Sequence, residues 1–318
     1  MEKLKVGVVG VGVLGKHHTR IYTQCNNVDL IGVYDKDPAA GMKASRQYGT
    51  NHYETIDQLL DRVDAVSLAV PTNLHYDVAV EVLNKHKHVL LEKPLAATIE
   101  QGKQLLELAN QKQCILHVGH VERYNPVIEY LEKIIDNPRF IEAHRLAFYP
   151  PPREGMLPRG TEVGVVLDLM IHDIDIILSL VKSEITAIDA VGIPILSRSE
   201  DIANARIKFA NGCVANLTAS RVSQERVRKI RIFQKDAYLS LDYQNKKGEV
   251  VRLQNTTIKR EPVPIEDHDA LTRELSDFID CCQKAISSGK IEKPKVPAEH
   301  GLKALEIADQ ITHLIIPN

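Results

Sequence analysis

"LKVGVVGVGVLGKHH", Leu4 to His18, decides the fold. Its first half is an aliphatic, β-branched run, the pattern of a strand buried on both faces. Its second half places Gly10, Gly12 and Gly15 in GxGxxG spacing where strand should give way to helix. The spacing alone is weak, but between a strand and a helix it is a dinucleotide-binding fingerprint. Gly10 permits the tight turn, Gly12 lets backbone approach a pyrophosphate, and Gly15 lets helix and strand pack closely. Gly10, Val11, Gly12, Val13, Leu14 and Gly15 are therefore the expected phosphate cradle, with free N–H groups at the helix start facing the anion. Asp35 ends the next strand, where a carboxylate accepts hydrogen bonds from ribose hydroxyls and repels a 2′-phosphate. That favours NAD over NADP as the cofactor, with Lys36 softening the exclusion.

Outward from this stretch, "VDLIGVYD", "DAVSLAV", "HVLLEKP" and "CILHVGH" read as further strands. Helical patterns over 14–24, 38–48, 74–87 and 98–111 separate them. Apolar strands alternating with helices predict a parallel, doubly wound sheet. After Pro126 the rhythm changes. A short helix, the strand "FIEAHRLAFY" and the loop "PPPREGMLPRGTEVG" lead to an apolar helix, followed by strands joined at Asn211-Gly212 and at "NKKG", Asn245 to Gly248. Those hairpin signals predict a largely antiparallel sheet. Helices near 269–288 and 297–314 close the chain. The expected class is α/β, with a doubly wound domain over 1–122 and an α+β domain carrying an open, largely antiparallel sheet over 123–318. The last helix is expected to pack back on the first domain.

The composition is that of a globular protein: 318 residues, 44% hydrophobic, 26% charged. A formal net charge of -2 argues against a nucleic-acid partner, which needs a basic surface to displace counterions. The basic residues from Arg221 to Arg231 alternate with Val and Ile as on a half-exposed strand. No apolar run approaches the roughly 20 residues of a membrane span, and "MEKLKVGVVG" enters a strand pattern directly, so a cytoplasmic protein without a membrane partner is expected. Five cysteines without CxxC spacing point to reduced thiols, and no metal site is expected. "HKH", His86 to His88, reads as a solvated helix end.

Four further segments carry candidate chemistry. "LLEKPL" sets Glu92, Lys93 and Pro94 at a strand's C-terminal end, the edge where doubly wound sheets bind ligands. "VPTNLH" brings Val70, Pro71, Thr72 and His75 to the same edge, over the nicotinamide half of the cofactor. "VGHVERYNP" offers His120, Arg123 and Asn125, its arginine suited either to a phosphate or carboxylate or to binding the domains together. In "VLDLMIHDIDIILSLV", at about 100° per residue, Asp168, His172, Asp175 and Ser179 fall within roughly 60° of one another, while Asp173 lies apart. A polar stripe without Lys, Glu or Arg suits a cleft better than open solvent. His17 and His18 read as packing or cofactor-edge residues.

Together the glycine loop, "EKPLA", "DLMIHDIDIIL" and "AEHGLKALEIADQI" resemble the Gfo/Idh/MocA family of sugar and cyclitol oxidoreductases across essentially the whole chain. The resemblance implies a Rossmann domain, NAD as cofactor, an open sheet that builds homodimers or homotetramers, and Lys93, Asp168 and His172 as catalytic residues. Where the family often has Thr-Pro-Asn, this chain has Val70, Pro71 and Thr72. More narrowly, "VGHVERYNP" and "DIANARIKFANGCVANLTASRVS" look like the branch that oxidises the C3 hydroxyl of UDP-N-acetylglucosamine toward diamino-sugar lipid A or surface polysaccharide. On that resemblance His120, Arg123, Asn125, Tyr149, Arg153, Arg159, Asp168 and His172 are the expected substrate contacts, with the loop arginines as diphosphate partners. A dehydrogenase of another sugar or polyol such as inositol, and a non-catalytic NAD-binding regulator, stay open as alternatives.

Overall fold

The computed structural model describes residues 2–151, 158 and 160–315. They fall into two compact units, 2–121 with 269–302 and 122–268 with 303–315. The first unit begins with β1 (Leu4–Val9), α1 (Val13–Gln24), β2 (Val28–Tyr34), α2 (Pro38–Tyr48), β3 (Asn51–His52) and α3 (Ile56–Leu60). It continues with β4 (Ala65–Leu68), α4 (His75–Asn84), β5 (His88–Glu92), α5 (Ile99–Gln111) and β6 (Leu116–Gly119). The strands are parallel, in the order β3-β2-β1-β4-β5-β6. This is the doubly wound order, whose ligand edge lies at the strand C-termini. Val6, Val8, Val66, Leu68 and Leu90 are fully enclosed, as strands covered on both faces require. Asp37, Thr55 and Thr98 start α2, α3 and α5 by accepting backbone N–H bonds of the first turn.

The second unit opens with a 3-10 turn, Val121–Tyr124, whose first residue closes the preceding unit, and α6 (Pro126–Ile134). Then come β7 (Phe140–Leu146) and a π-helical turn (Val166–Met170) that runs into α7 (Ile171–Val181). The strands β8 (Ile185–Ile193), β9 (Ile202–Phe209), β10 (Val214–Ser220), β11 (Val227–Gln234), β12 (Ala237–Asp242), β13 (Lys247–Gln254) and β14 (Thr257–Pro262) complete an eight-stranded sheet. Its order is β14-β13-β12-β11-β7-β10-β9-β8, antiparallel except for the β7–β10 pair. One face alternates inward through Ile141, Ala143, Ile207, Leu217, Ile230 and Leu239, sharing a core with Ile171, Ile174 and Ile177 of α7. Gly212 takes a positive φ of 82° in the β9–β10 turn, the conformation that glycine supplies at least cost.

After β14 the chain forms α8 (Ala270–Ser288) and α9 (Ala298–Ile315). Residues 269–302, expected within the second domain, belong instead to the compact unit of the parallel sheet. The reason is packing: Leu275, Phe278, Ile279 and Cys282 of α8 share a core with Val6, Val8 and Ile21. The later turns of α9 add Ala304, Ile307, Ala308 and Ile311 to the second unit's core. His88, expected to be solvated, is instead the buried first residue of β5 and accepts the Ile115 N–H at 3.1 Å. Burial pushes its pKa down. Arg221, expected on a half-exposed strand, is buried and precedes β11. No helix among the described residues is long and apolar enough to cross a membrane.

Candidate active site

The glycine loop is built to admit a phosphate. Gly10 has φ +85°, and a Cβ there would lie 2.6 Å from the Ala69 carbonyl oxygen. A Cβ on Gly15 would lie 1.8 Å from the Gly10 oxygen. At Gly12, by contrast, a Cβ would meet nothing within 4 Å. The two outer glycines are therefore fixed by close packing, while the middle one keeps space open at the start of α1. No side chain caps that helix and its first turn holds no acid, so its N–H groups and positive dipole end remain for an anion. Asp35 Oδ2 accepts the Val11 N–H at 2.7 Å and Oδ1 accepts the Asp37 N–H at 2.9 Å. These bonds aim the carboxylate and leave further lone pairs for ribose hydroxyls. The cradle fits a dinucleotide with an unphosphorylated adenosine ribose.

At the neighbouring strand ends, Val70, Thr72 and Lys93 are half-buried, Pro71 is exposed, and Glu92 and His75 are buried. The Lys93–Pro94 peptide is cis. His75 sets Nδ1 2.8 Å from the Pro94 carbonyl oxygen and Nε2 3.0 Å from that of Val70. Both ring nitrogens thus face backbone, and the ring ties the turn after Lys93 to the end of β4. Burial lowers its pKa against the raising effect of those carbonyls. Below the same edge, His18 is fully buried between Ser67, with Nδ1 3.1 Å from Oγ, and Glu92, with Nε2 3.1 Å from Oε1. Ser67 Oγ also lies 2.9 Å from the Tyr22 hydroxyl. Burial would raise the Glu92 carboxyl, but His18, Lys93 and His75 outweigh it and hold the group below the usual range.

In the second unit, Asp168 lies within the π-turn and His172 in the first turn of α7, both half-buried. A Cβ on Gly160 would come 2.5 Å from Asp168 Oδ2, so this glycine lets the backbone close on that carboxylate. Arg221 holds the approach segment by donating to the Gly160 and Val163 carbonyls at 2.6 and 2.8 Å, while its Nε donates to Asp201 at 2.8 Å. The residues of the expected cleft-lining stripe differ in their surroundings: Asp168, His172 and Ser179 are half-buried and Asp175 is buried. Asp175 is buried 3.6 Å from Arg123, and Ser179 bonds the Ile176 carbonyl. His172, Asp175 and Ser179 all lie in the regular α7 and keep their common phase, whereas the π-turn, which advances by less rotation per residue, shifts only Asp168 relative to them.

Asp173, set apart from the stripe, is the hub of a buried charge network. It accepts Arg145 Nε at 3.1 Å and the Tyr243 hydroxyl at 2.5 Å, while Arg145 Nη1 reaches Glu122 at 3.2 Å and Arg228 reaches Glu122 at 2.8 Å. Burial opposes the Arg145 charge, but Asp173, Tyr243 and Glu122 push its pKa well up. The signal for this network was present in β7, where Ile141, Ala143 and Arg145 occupy the inward phase. A charged residue on the apolar phase of a strand needs a buried partner.

The expected substrate contacts divide. Arg123 is buried, its guanidinium on Glu132 at 2.9 Å and near Asp175, and Asn125 caps α6 while donating to the Tyr243 carbonyl. Both serve the second unit's own structure. His120 is buried in the first unit. Tyr149 is half-buried and donates to the Leu196 carbonyl at 3.3 Å. Arg153 and Arg159 lie outside the described residues.

Comparison with known proteins gives concordant matches over both units. A family model described as "Oxidoreductase family, NAD-binding Rossmann fold" matches residues 4–120, and the "GFO/IDH/MocA C-terminal domain" model matches 131–240. The UDP-N-acetylglucosamine 3-dehydrogenase of Acidithiobacillus ferrooxidans is 34% identical over 88% of each chain. A solved structure of that enzyme superposes with a TM-score of 0.89 at 32% identity, covering 99% of this chain and 98% of the other. The scyllo-inositol 2-dehydrogenase (NAD(+)) of Bacillus subtilis is 26% identical over 70% of this chain and 68% of its own.

Proposed function

Because the chain belongs to the Gfo/Idh/MocA oxidoreductase family, we propose that it oxidises a sugar hydroxyl to a ketone with NAD+, its substrate the C3 hydroxyl of UDP-N-acetylglucosamine. The observation that carries this is the 34% identity, spread over 88% of both chains, to an enzyme named for that reaction. The cradle at Gly12 and the placement of Asp35 support NAD+. Bound there, NAD+ supplies the hydride acceptor. His172 removes the hydroxyl proton, Asp168 orients or strengthens that base, and Lys93 donates a hydrogen bond to the reacting oxygen. The 3-keto product suits transamination toward a diamino sugar of lipid A or a surface polysaccharide. The working enzyme is a cytoplasmic homodimer or homotetramer.

The test is NADH absorbance after mixing protein, NAD+ and each of UDP-N-acetylglucosamine, inositol and free hexoses. Reduction with the nucleotide sugar alone is expected. Reduction only with inositol or a free sugar moves the substrate to that class, and NAD+ binding without reduction across the panel leaves a regulator. His172→Ala should lower kcat about 10²- to 10⁴-fold with NAD+ affinity nearly intact. Turnover retained in that variant would transfer the base to Lys93.

A further inference from the structure

We propose that the Glu92 carboxylate, braced by His18, makes this nucleotide site prefer the oxidised cofactor over the reduced one. The inference rests on the NAD reading above and concerns a residue to which that reading gives no chemical step.

Glu92 is the last residue of β5, directly before Lys93, and only 8% exposed. Its two oxygens are fixed from two sides. Oε1 faces His18 Nε2 at 3.1 Å. Oε2 lies 3.1 Å from where a Cβ on Gly119 would stand, so the absence of a side chain at that position of β6 makes room for the carboxylate. The His18 contact falls off the N–H axis, so its strength is mainly electrostatic. Ser67 sits at the other ring nitrogen. If Ser67 donates to Nδ1, Nε2 carries the hydrogen; if the ring is cationic, both nitrogens do. Either arrangement puts a hydrogen on the ring nitrogen nearest Glu92, whereas the remaining tautomer would set a lone pair against a buried carboxylate.

The strand order places the pyrophosphate at β1–α1 and the adenosine ribose at Asp35, so the other nucleotide half belongs over the ends of β4 and β5. NAD+ and NADH differ there by one positive charge on the nicotinamide ring. The adenine half and pyrophosphate are common to both. The ratio of their dissociation constants therefore isolates the charge at this strand end. Lys93 alone would oppose the cationic ring. A fixed negative charge beside it counters that opposition and shifts the balance toward the cationic ring, and in a poorly solvated position its influence is far larger than in water.

Isothermal titration of the full chain with NAD+ and with NADH, each without sugar, tests this. Glu92→Gln should lower the ratio Kd(NADH)/Kd(NAD+) by about tenfold, while Glu92→Asp, which keeps the charge, should stay near the original ratio. An unchanged ratio in folded Glu92→Gln, or an equal change in the Asp variant, would overturn the proposal while leaving NAD binding in place. Failure of the unaltered protein to bind either nucleotide would instead overturn the cofactor reading and the inference with it. Should Glu92→Gln not fold, Glu92→Ala, which removes the charge and adds no bulk, gives the same reading, and an unmoved ratio there sinks the proposal.

Discussion

His117 shows at one residue how burial writes a pH dependence. It is fully enclosed in β6, 4.0 Å from the equally buried Glu274 and edge-on to Phe278. Burial lowers its pKa from 6.5 to about 4, with Asp277 and Glu92 opposing the shift and His120 adding to it. The unfolded chain therefore takes up a proton that the folded protein refuses. Stability is intact above about pH 6.5 and falls as pH drops toward about 4, by a few kcal/mol in all. Urea unfolding of His117→Gln across that window should give a flatter profile than the unaltered protein. His75 and His88 shift in the same direction, so the profile should not become level. Residues of this kind were poorly legible in the sequence. A histidine states its chemistry by type, but only the enclosing side chains decide whether it is solvated, and His88 was misjudged on that ground. Gly10 and Asp35 were legible because a glycine turn and a carboxylate at a strand end are local requirements.

At the scale of elements, α7 is held by charge as well as by its isoleucines. Two carboxylates, Glu122 and Asp173, face two guanidiniums, Arg145 and Arg228, with Tyr243 closing the set. Arg145→Met would leave Asp173 enclosed without its main counter-charge, and should cost about 3–5 kcal/mol in urea unfolding. Tyr243→Phe removes one hydroxyl and should cost roughly 1–3 kcal/mol. A reversal of that order would mean that Tyr243, not Arg145, carries the hub. The elements themselves were largely readable. Strands β1, β2, β4 to β6 and β7 to β13 announce themselves by apolar runs or alternation, and α2 follows its capping Asp37 and Pro38. Strand β3 is two residues long, and every residue of β14 is exposed; with no apolar phase to detect, neither leaves a signal. The π-turn was invisible for another reason. Its sequence, "VLDLM", suits an ordinary helix, and nothing in it marks a wider turn; the Glu200 carboxylate accepts the Val166 N–H at its start.

For the molecule as a whole, the division of the chain matters more than its composition. Helix α8 lies far along the sequence yet packs against α1 and β1 of the first unit. A chain ending at 268 should thus expose the face formed by Val6, Val8 and Ile21. It should bind a hydrophobic dye and unfold at lower urea than the full chain, and a truncation of undiminished stability would show that α8 contributes little. The succession of a parallel and then a largely antiparallel sheet was legible because strand periodicity and turn residues are written locally. The return of 269–302 was not, since an amphipathic helix records that it has an apolar face without saying which surface receives it. The same arrangement bears on the order in which the protein matures on the ribosome. The nucleotide-binding half emerges before residues 122–268 but cannot finish until 269–302 have followed them, so for roughly ten seconds or more at ~5–20 residues per second a nascent chain carries an open wound on that half's surface. Translation speed, and chaperones that shield that surface, should therefore govern the yield of active protein more than the stability of the finished fold does.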